Sequence, residues 1–399
     1  MKFNTVLTAF LSMVLVSCDK DPAVEEQTWV TDETIPIVSW YSVELAYSSV
    51  PAFQEVKECG YTHSLSTVWG GVDSAAVYNA DLLGRALDHV QAAGLQAIAG
   101  CHELSTDPEN TVLRFKDHPA VAGWHLDDEP TLQELKKLGE LGRRIKAVDK
   151  ENFVYVNLRP ADATYDQMGT NDYMEYLNTF IEEVPVDFIS FDKYPCQIAE
   201  DGSLYVLDTW YDGLRIIADF SKAHGMDFWA FASGIKFEDV QAEPSLATLR
   251  LQMFTNLAYG AQGLQYFVFQ NSTSPVYRMI KLVNREIQNY AKVFLDAEVL
   301  SVTYTGDKIP VNMDRFSGAP APIRYFDTGD AGTLVSVLEK GSRQFFVVVN
   351  RDLNNSQPVT IETEDNVWQV TKTGTIRKVP GKVTENLSPG DMLVYMWEK

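Results

Sequence analysis

The sequence predicts an α/β fold: a (β/α)8 TIM barrel over residues 35–300, followed by a small C-terminal all-β, sandwich-like domain over residues 301–399. Three observations predict it. Between Ile35 and Leu300, eight short apolar runs alternate with longer helical patterns. The runs are almost continuously apolar, as in Val186-Asp187-Phe188-Ile189-Ser190-Phe191, which suits parallel strands covered by helices. Past Leu300 the helical spacing gives way to short alternating segments separated by turn residues. Eight parallel strands with helices between them close most naturally as a barrel.

In chain order, the first segment carries Lys2, an apolar run from Val6 to Val16, and Leu15-Val16-Ser17-Cys18. It reads as a secretory signal, too short to cross a bilayer as a mature helix. Small residues before a cysteine resemble the lipobox of bacterial lipoproteins, which implies a lipid anchor on Cys18. The acidic residues that follow resemble the surface-export signals of gut-type Bacteroidetes lipoproteins. Residues 19–34 lack hydrophobic period and are expected to be a flexible tether. The expected location is the outer membrane or cell surface, with the membrane reached through Cys18.

The expected barrel strands are Pro36–Ser42, Thr62–Trp69, Leu95–Cys101, Ala122–Asp127, Phe153–Leu158, Val186–Phe191, Asp227–Ala232 and Leu264–Phe269. Helices show in Leu82, Leu83, Ala86, Val90 and Ala93 before Gly94, in Leu135 to Val148 after Pro130, and in Leu214 to Phe220 before Gly225. The C-terminal strands are expected at Thr333–Leu338, Gln344–Val349, Val359–Thr363, Val367–Thr371 and Met392–Trp397, with a hairpin turn at Gly341-Ser342.

A formal charge of -22 disfavours nucleic acid and anionic surfaces as partners. Cys59, Cys101 and Cys196 show no metal-ligand spacing and are expected to be buried thiols, with a reactive Cys101 next to His102 as the sharper alternative.

Barrel active sites lie at the C-terminal ends of the strands. The residues there are Trp40, Tyr41 and Glu44; Trp69; His102 and Glu103; Asp127, Asp128 and Glu129; Asn157 and Arg159; Asp192 and Tyr194; Ser233; Gln270 and Asn271. Carboxylates, aromatics and amides on one mouth suit glycosidic cleavage, in which one carboxylic acid protonates the leaving oxygen while another group stabilises positive charge at the anomeric carbon. Such chemistry calls for no cofactor. The densest segment is Gly123-Trp124-His125-Leu126-Asp127-Asp128-Glu129-Pro130, where like charges at a strand end keep at least one proton bound and make Glu129 the candidate general acid. Alternatively, Asp127 and Asp128 cap the following helix.

The Asp-Glu-Pro at strand 4 looks like the acid/base position of the large retaining clan of (β/α)8 glycoside hydrolases. Ile189-Ser190-Phe191-Asp192-Lys193-Tyr194-Pro195 resembles strand 6 of glycoside hydrolase family 42, and Ala258-Tyr259-Gly260-Ala261-Gln262-Gly263-Leu264-Gln265-Tyr266-Phe267 resembles its approach to strand 8. The resemblance implies a carbohydrate substrate and a glutamate nucleophile at the end of strand 7. This chain has Phe231-Ala232-Ser233-Gly234 there, without a carboxylate. Three ways round the gap remain open. Asp128 and Glu129 are similar to the pair of substrate-assisted N-acetylhexosaminidases. Asp192 could face Glu129 as base or nucleophile, and Glu238 or Asp239 could enter from the next loop. Trp69, His102, Asn157, Arg159, Tyr194 and Gln270 are the expected sugar contacts. The competing class is a non-catalytic glycan-binding lipoprotein on a hydrolase-like barrel.

Overall fold

The computed structural model describes residues 26–29, 31–67, 74–330 and 332–399. Cys18, the signal segment and Trp69 lie outside the described residues.

All eight expected barrel strands form. They are Ile37–Trp40, His63–Leu65, Gln96–Ala99, Val121–Asp128, Phe153–Leu158, Phe188–Phe191, Asp227–Ser233 and Gly263–Phe267, here barrel strands 1 to 8. They close in sequence order, with strand 8 pairing strand 1, and every pairing is parallel. The helices Ala80–Ala92, Leu132–Val148 and Asp208–His224 stand where the three- and four-residue spacings put them.

Inside the closed sheet the filling is largely aromatic. Trp40, Tyr155, Phe188, Trp229 and Phe231 form the inner cluster, and Phe188 stacks on Trp229 at 4.2 Å. Gly263 makes room for this packing: a Cβ there would lie 2.3 Å from the Trp229 ring. Phe188 and Trp229 fill the N-terminal part of the barrel, and the polar residues of strands 4, 5 and 6 gather at the C-terminal end.

The helix after strand 4 does not take up the alternative in which Asp127 and Asp128 cap it. Its N-cap is Thr131, whose backbone N–H donates to Glu134 at 2.7 Å in a capping box. The cap is therefore supplied without Asp127 or Asp128, and both acids are left to face the mouth.

Beyond the barrel, a seven-stranded sheet takes in Glu298–Tyr304, Thr333–Lys340, Arg343–Asn350, Met392–Glu398, Trp368–Val370 and Thr375–Lys378, and a three-stranded sheet combines Ile323–Thr328, Gln357–Thr363 and Lys382–Leu387. Residues such as Phe346, Val348, Ile361 and Tyr395 fill the space between the sheets. The alternate residues Val347, Val349, Met392 and Val394 face the barrel helices and join the main core. The seventh strand is Glu26–Thr28, paired with Thr375–Lys378. Part of the stretch expected as a tether is therefore ordered against the domain: Glu26–Thr28 pair along an open sheet edge, Trp29 is buried, and Glu33 bonds Lys340 at 2.6 Å.

Candidate active site

Strand 4 runs on through Asp128, and Glu129 continues the pairing, its N–H donating to the Asn157 carbonyl at 2.8 Å. Glu129 does so at φ 55°, a conformation unfavourable for a residue with a Cβ and one that concentrates at functional sites.

Strand 5 supplies the two partners that organise the acids. Arg159 forms an ion pair with Glu129 at 2.9 Å. Asn157 is buried, and its amide NH2 donates both to Asp128 at 3.2 Å and to Asp192 at 2.9 Å. The orientation of that amide is fixed from below. Its oxygen accepts from the Ser190 hydroxyl at 2.9 Å, Ser190 accepts from Gln265 at 2.8 Å, and the Gln265 oxygen accepts from Tyr155 at 2.7 Å. One run of buried polar side chains from strands 5, 6 and 8 therefore sets the spacing of two carboxyls at the mouth.

The three acids differ in environment. Asp128 is open to the cleft on one side and crowded by protein on the others. Desolvation, together with repulsion from Glu129 and Asp127, raises its carboxyl to about 7 against the pull of Asn157 and Arg159. Asp192 sits deeper. Burial first, then the charges of Glu129 and Asp128, hold it well above the ordinary carboxylate range, although Asn157 and Tyr194 bond it. Asp127 is also raised by burial, and it accepts the N–H of Asp128 at 2.9 Å.

Of the expected contacts, Asn157, Arg159 and Tyr194 join the acids. His102 borders an adjoining cavity of about 360 Å³ together with Tyr41, Tyr78, His125 and Asp128. The Gln270 amide donates to the backbone of Phe269 at 3.3 Å. Glu103 caps the helix Ala80–Ala92 through the N–H of Ala80 at 2.9 Å. Glu238 and Asp239 lie exposed in the loop after strand 7. Cys59, Cys101 and Cys196 are buried free thiols, and burial pushes Cys101 up to about 12, which removes it as a nucleophile. A larger cavity of about 760 Å³ lies at the other end of the barrel, where Asp227, Gln262 and Glu298 line it away from the acids.

Tyr155, Ser190 and Gln265 are the residues that sequence reasoning missed. Within their strands they read as ordinary interior positions, and only barrel closure brings them together.

No family model and no curated protein sequence matches the chain. Solved structures do match. A glycoside hydrolase shares 12% identity over 92% of this chain and 92% of its own, with a TM-score of 0.56. A glycoside hydrolase family 5 protein from Bacteroides vulgatus shares 11% over 92% of this chain and 89% of its own, at 0.57. An alpha-amylase from Geobacillus thermoleovorans shares 12% over 94% and 99%, at 0.52. At such identities the common property is architecture, and this chain has the barrel fold of glycoside hydrolases.

Proposed function

We propose that this protein is a glycoside hydrolase acting on oligo- or polysaccharides, with its reacting carboxyls at Asp128 and Glu129. The observation that supports this best is the contrast in their partners: Asp128 shares the Asn157 amide with Asp192 and is raised toward neutral pH by burial and by the acids around it, and its neighbour Glu129 is ion-paired to Arg159. Glycosidic cleavage needs such a contrast.

In this reading Asp128 gives its proton to the glycosidic oxygen as the bond from that oxygen to the anomeric carbon breaks, and the bonding electrons leave with the oxygen. Glu129, held by Arg159, offers negative charge to the anomeric carbon. Asp192 stays neutral and bonds a sugar hydroxyl from below. Water then adds its oxygen to the anomeric carbon and gives a proton to the Asp128 carboxylate, which restores the acid.

The left-handed backbone of Glu129 favours a second division of roles. There Glu129 is the acid, and Asp128 orients a 2-acetamido group of the substrate, as in substrate-assisted N-acetylhexosaminidases.

The test is a screen of aryl glycosides and glycan pools, including galactosides and N-acetylhexosaminides, with the wild type, Asp128→Asn and Glu129→Gln. Loss of about 100-fold or more in Asp128→Asn on natural linkages is expected, the scale of a removed general acid. A strict demand for the 2-acetamido group, with Glu129→Gln the more damaging change, would favour the second division. Glycan binding without turnover would establish the non-catalytic alternative.

A further inference from the structure

The loop after strand 7 carries an aromatic side chain that reaches the acids through Tyr194. Phe237, in that loop, is 41% exposed, so one face of its ring is open to solvent beside an aromatic cluster. Its ring meets Tyr194 edge-on at 5.2 Å and Phe267 at 5.3 Å. Tyr194 and Phe267 lie 5.5 Å apart, and Phe267 meets Tyr41 at 5.7 Å. Tyr194 in turn bonds Asp192. The aromatic cluster therefore begins at the acids and ends in solvent at Phe237.

The loop is held in place. The Phe237 N–H donates to the side chain of Gln241 at 3.2 Å, and Gln241 is buried and bridged to Gln197. Ile198 donates to the Val240 carbonyl at 2.9 Å, and Ala242 to that of Cys196 at 3.0 Å. These bonds tie the loop to the hairpin formed by Cys196–Ile198 and Leu204–Val206. Ile198 and Val240 are themselves exposed, so apolar surface continues outward from Phe237.

We propose that Phe237 is a stacking platform for a sugar ring of the substrate. A pyranose presents a face of C–H groups that an exposed phenyl ring covers favourably, while its hydroxyls point sideways to polar partners. The ring's aromatic neighbours are Tyr194 and Phe267, and the exposed carboxylates Glu238 and Asp239 that follow it in the loop can accept from sugar hydroxyls. The proposal rests on the glycan-directed reading of the site.

The experiment is calorimetric titration of Asp128→Asn, used to stop turnover, with gluco-, manno-, xylo- and galacto-configured oligosaccharides of four to six units. The same titrations are run with Phe237→Ala and Phe237→Trp added, and circular dichroism and melting confirm that each variant is folded. Phe237→Ala is expected to weaken the best ligand about tenfold or more, the size set by uncovering one phenyl ring, and Phe237→Trp to keep or improve it. Unchanged affinity in Phe237→Ala for a ligand that still binds would overturn the platform and leave the glycan reading standing. If no glycan of the panel is bound, and the wild type hydrolyses none in the screen above, both fall together.

Discussion

Asp192 illustrates what the site costs the fold. An ordinary aspartate in the unfolded chain releases its proton near 3.8, whereas folded Asp192 keeps it to a much higher pH. Between those values the folded state binds more protons than the unfolded state, so stability falls as pH rises through the window. Asp128 adds to the same trend between 3.8 and about 7. Asp192→Asn removes the penalty while its amide oxygen can still accept from Asn157. It should raise the melting temperature by a few degrees at pH 7, and the gain should shrink toward zero below about pH 4. Melting curves across pH check this, and a lower melting point at every pH would make Asp192 a structural partner instead. At this scale the sequence was informative about the acids, because like charges crowding a strand end are a local pattern. It was silent about Asn157 as their common donor, since strands 4, 5 and 6 must first be neighbours.

At the scale of elements, the strands were legible because buried parallel strands need nearly continuous apolar runs, and Phe188–Phe191 is buried at every position. Helices were legible from spacing, but the start of the helix after strand 4 was not. Asp127, Asp128 and Thr131 are all competent caps in sequence, and the choice of Thr131 depends on where strand 4 ends. Had the aspartates capped the helix, they would have been drawn away from Asn157. Glu26–Thr28 was missed for another reason: its three residues are polar and exposed, and only the free edge beside Thr375–Lys378 makes them a strand. The strand-7 gap, by contrast, was plain in the sequence. What fills that side of the mouth was not, because Phe237 lies beyond the strand and is recruited by packing on Tyr194 and Phe267.

At the scale of the whole molecule, barrel and β domain are welded together. The barrel side of the seven-stranded sheet shares a core with the helix Leu246–Ala258, and Ser336 donates to the Ala258 carbonyl at 2.7 Å. Arg250 on that helix bonds buried Glu286 and lies 3.6 Å from buried Asp391, which also pairs with Lys372. Severing a buried pair is costly, so the two parts should unfold together. Scanning calorimetry is expected to give one transition with matching calorimetric and van't Hoff enthalpies; two separated transitions would contradict the shared core. Composition and strand pattern announced two units, but the interface is formed by alternate residues of strands whose two faces are both apolar, and such strands do not declare which face meets the barrel.

The central claim is that Asp128 carries the catalytic proton, and the pH dependence of kcat/KM on a hydrolysed glycoside tests it most directly. In the wild type the rate should fall as pH rises through about 7, where Asp128 loses its proton, and Asp128→Asn should lose both the rate and that limb. An Asp128→Asn variant that keeps the wild-type rate, with the same limb near 7, would contradict the account and return the acid role to Glu129.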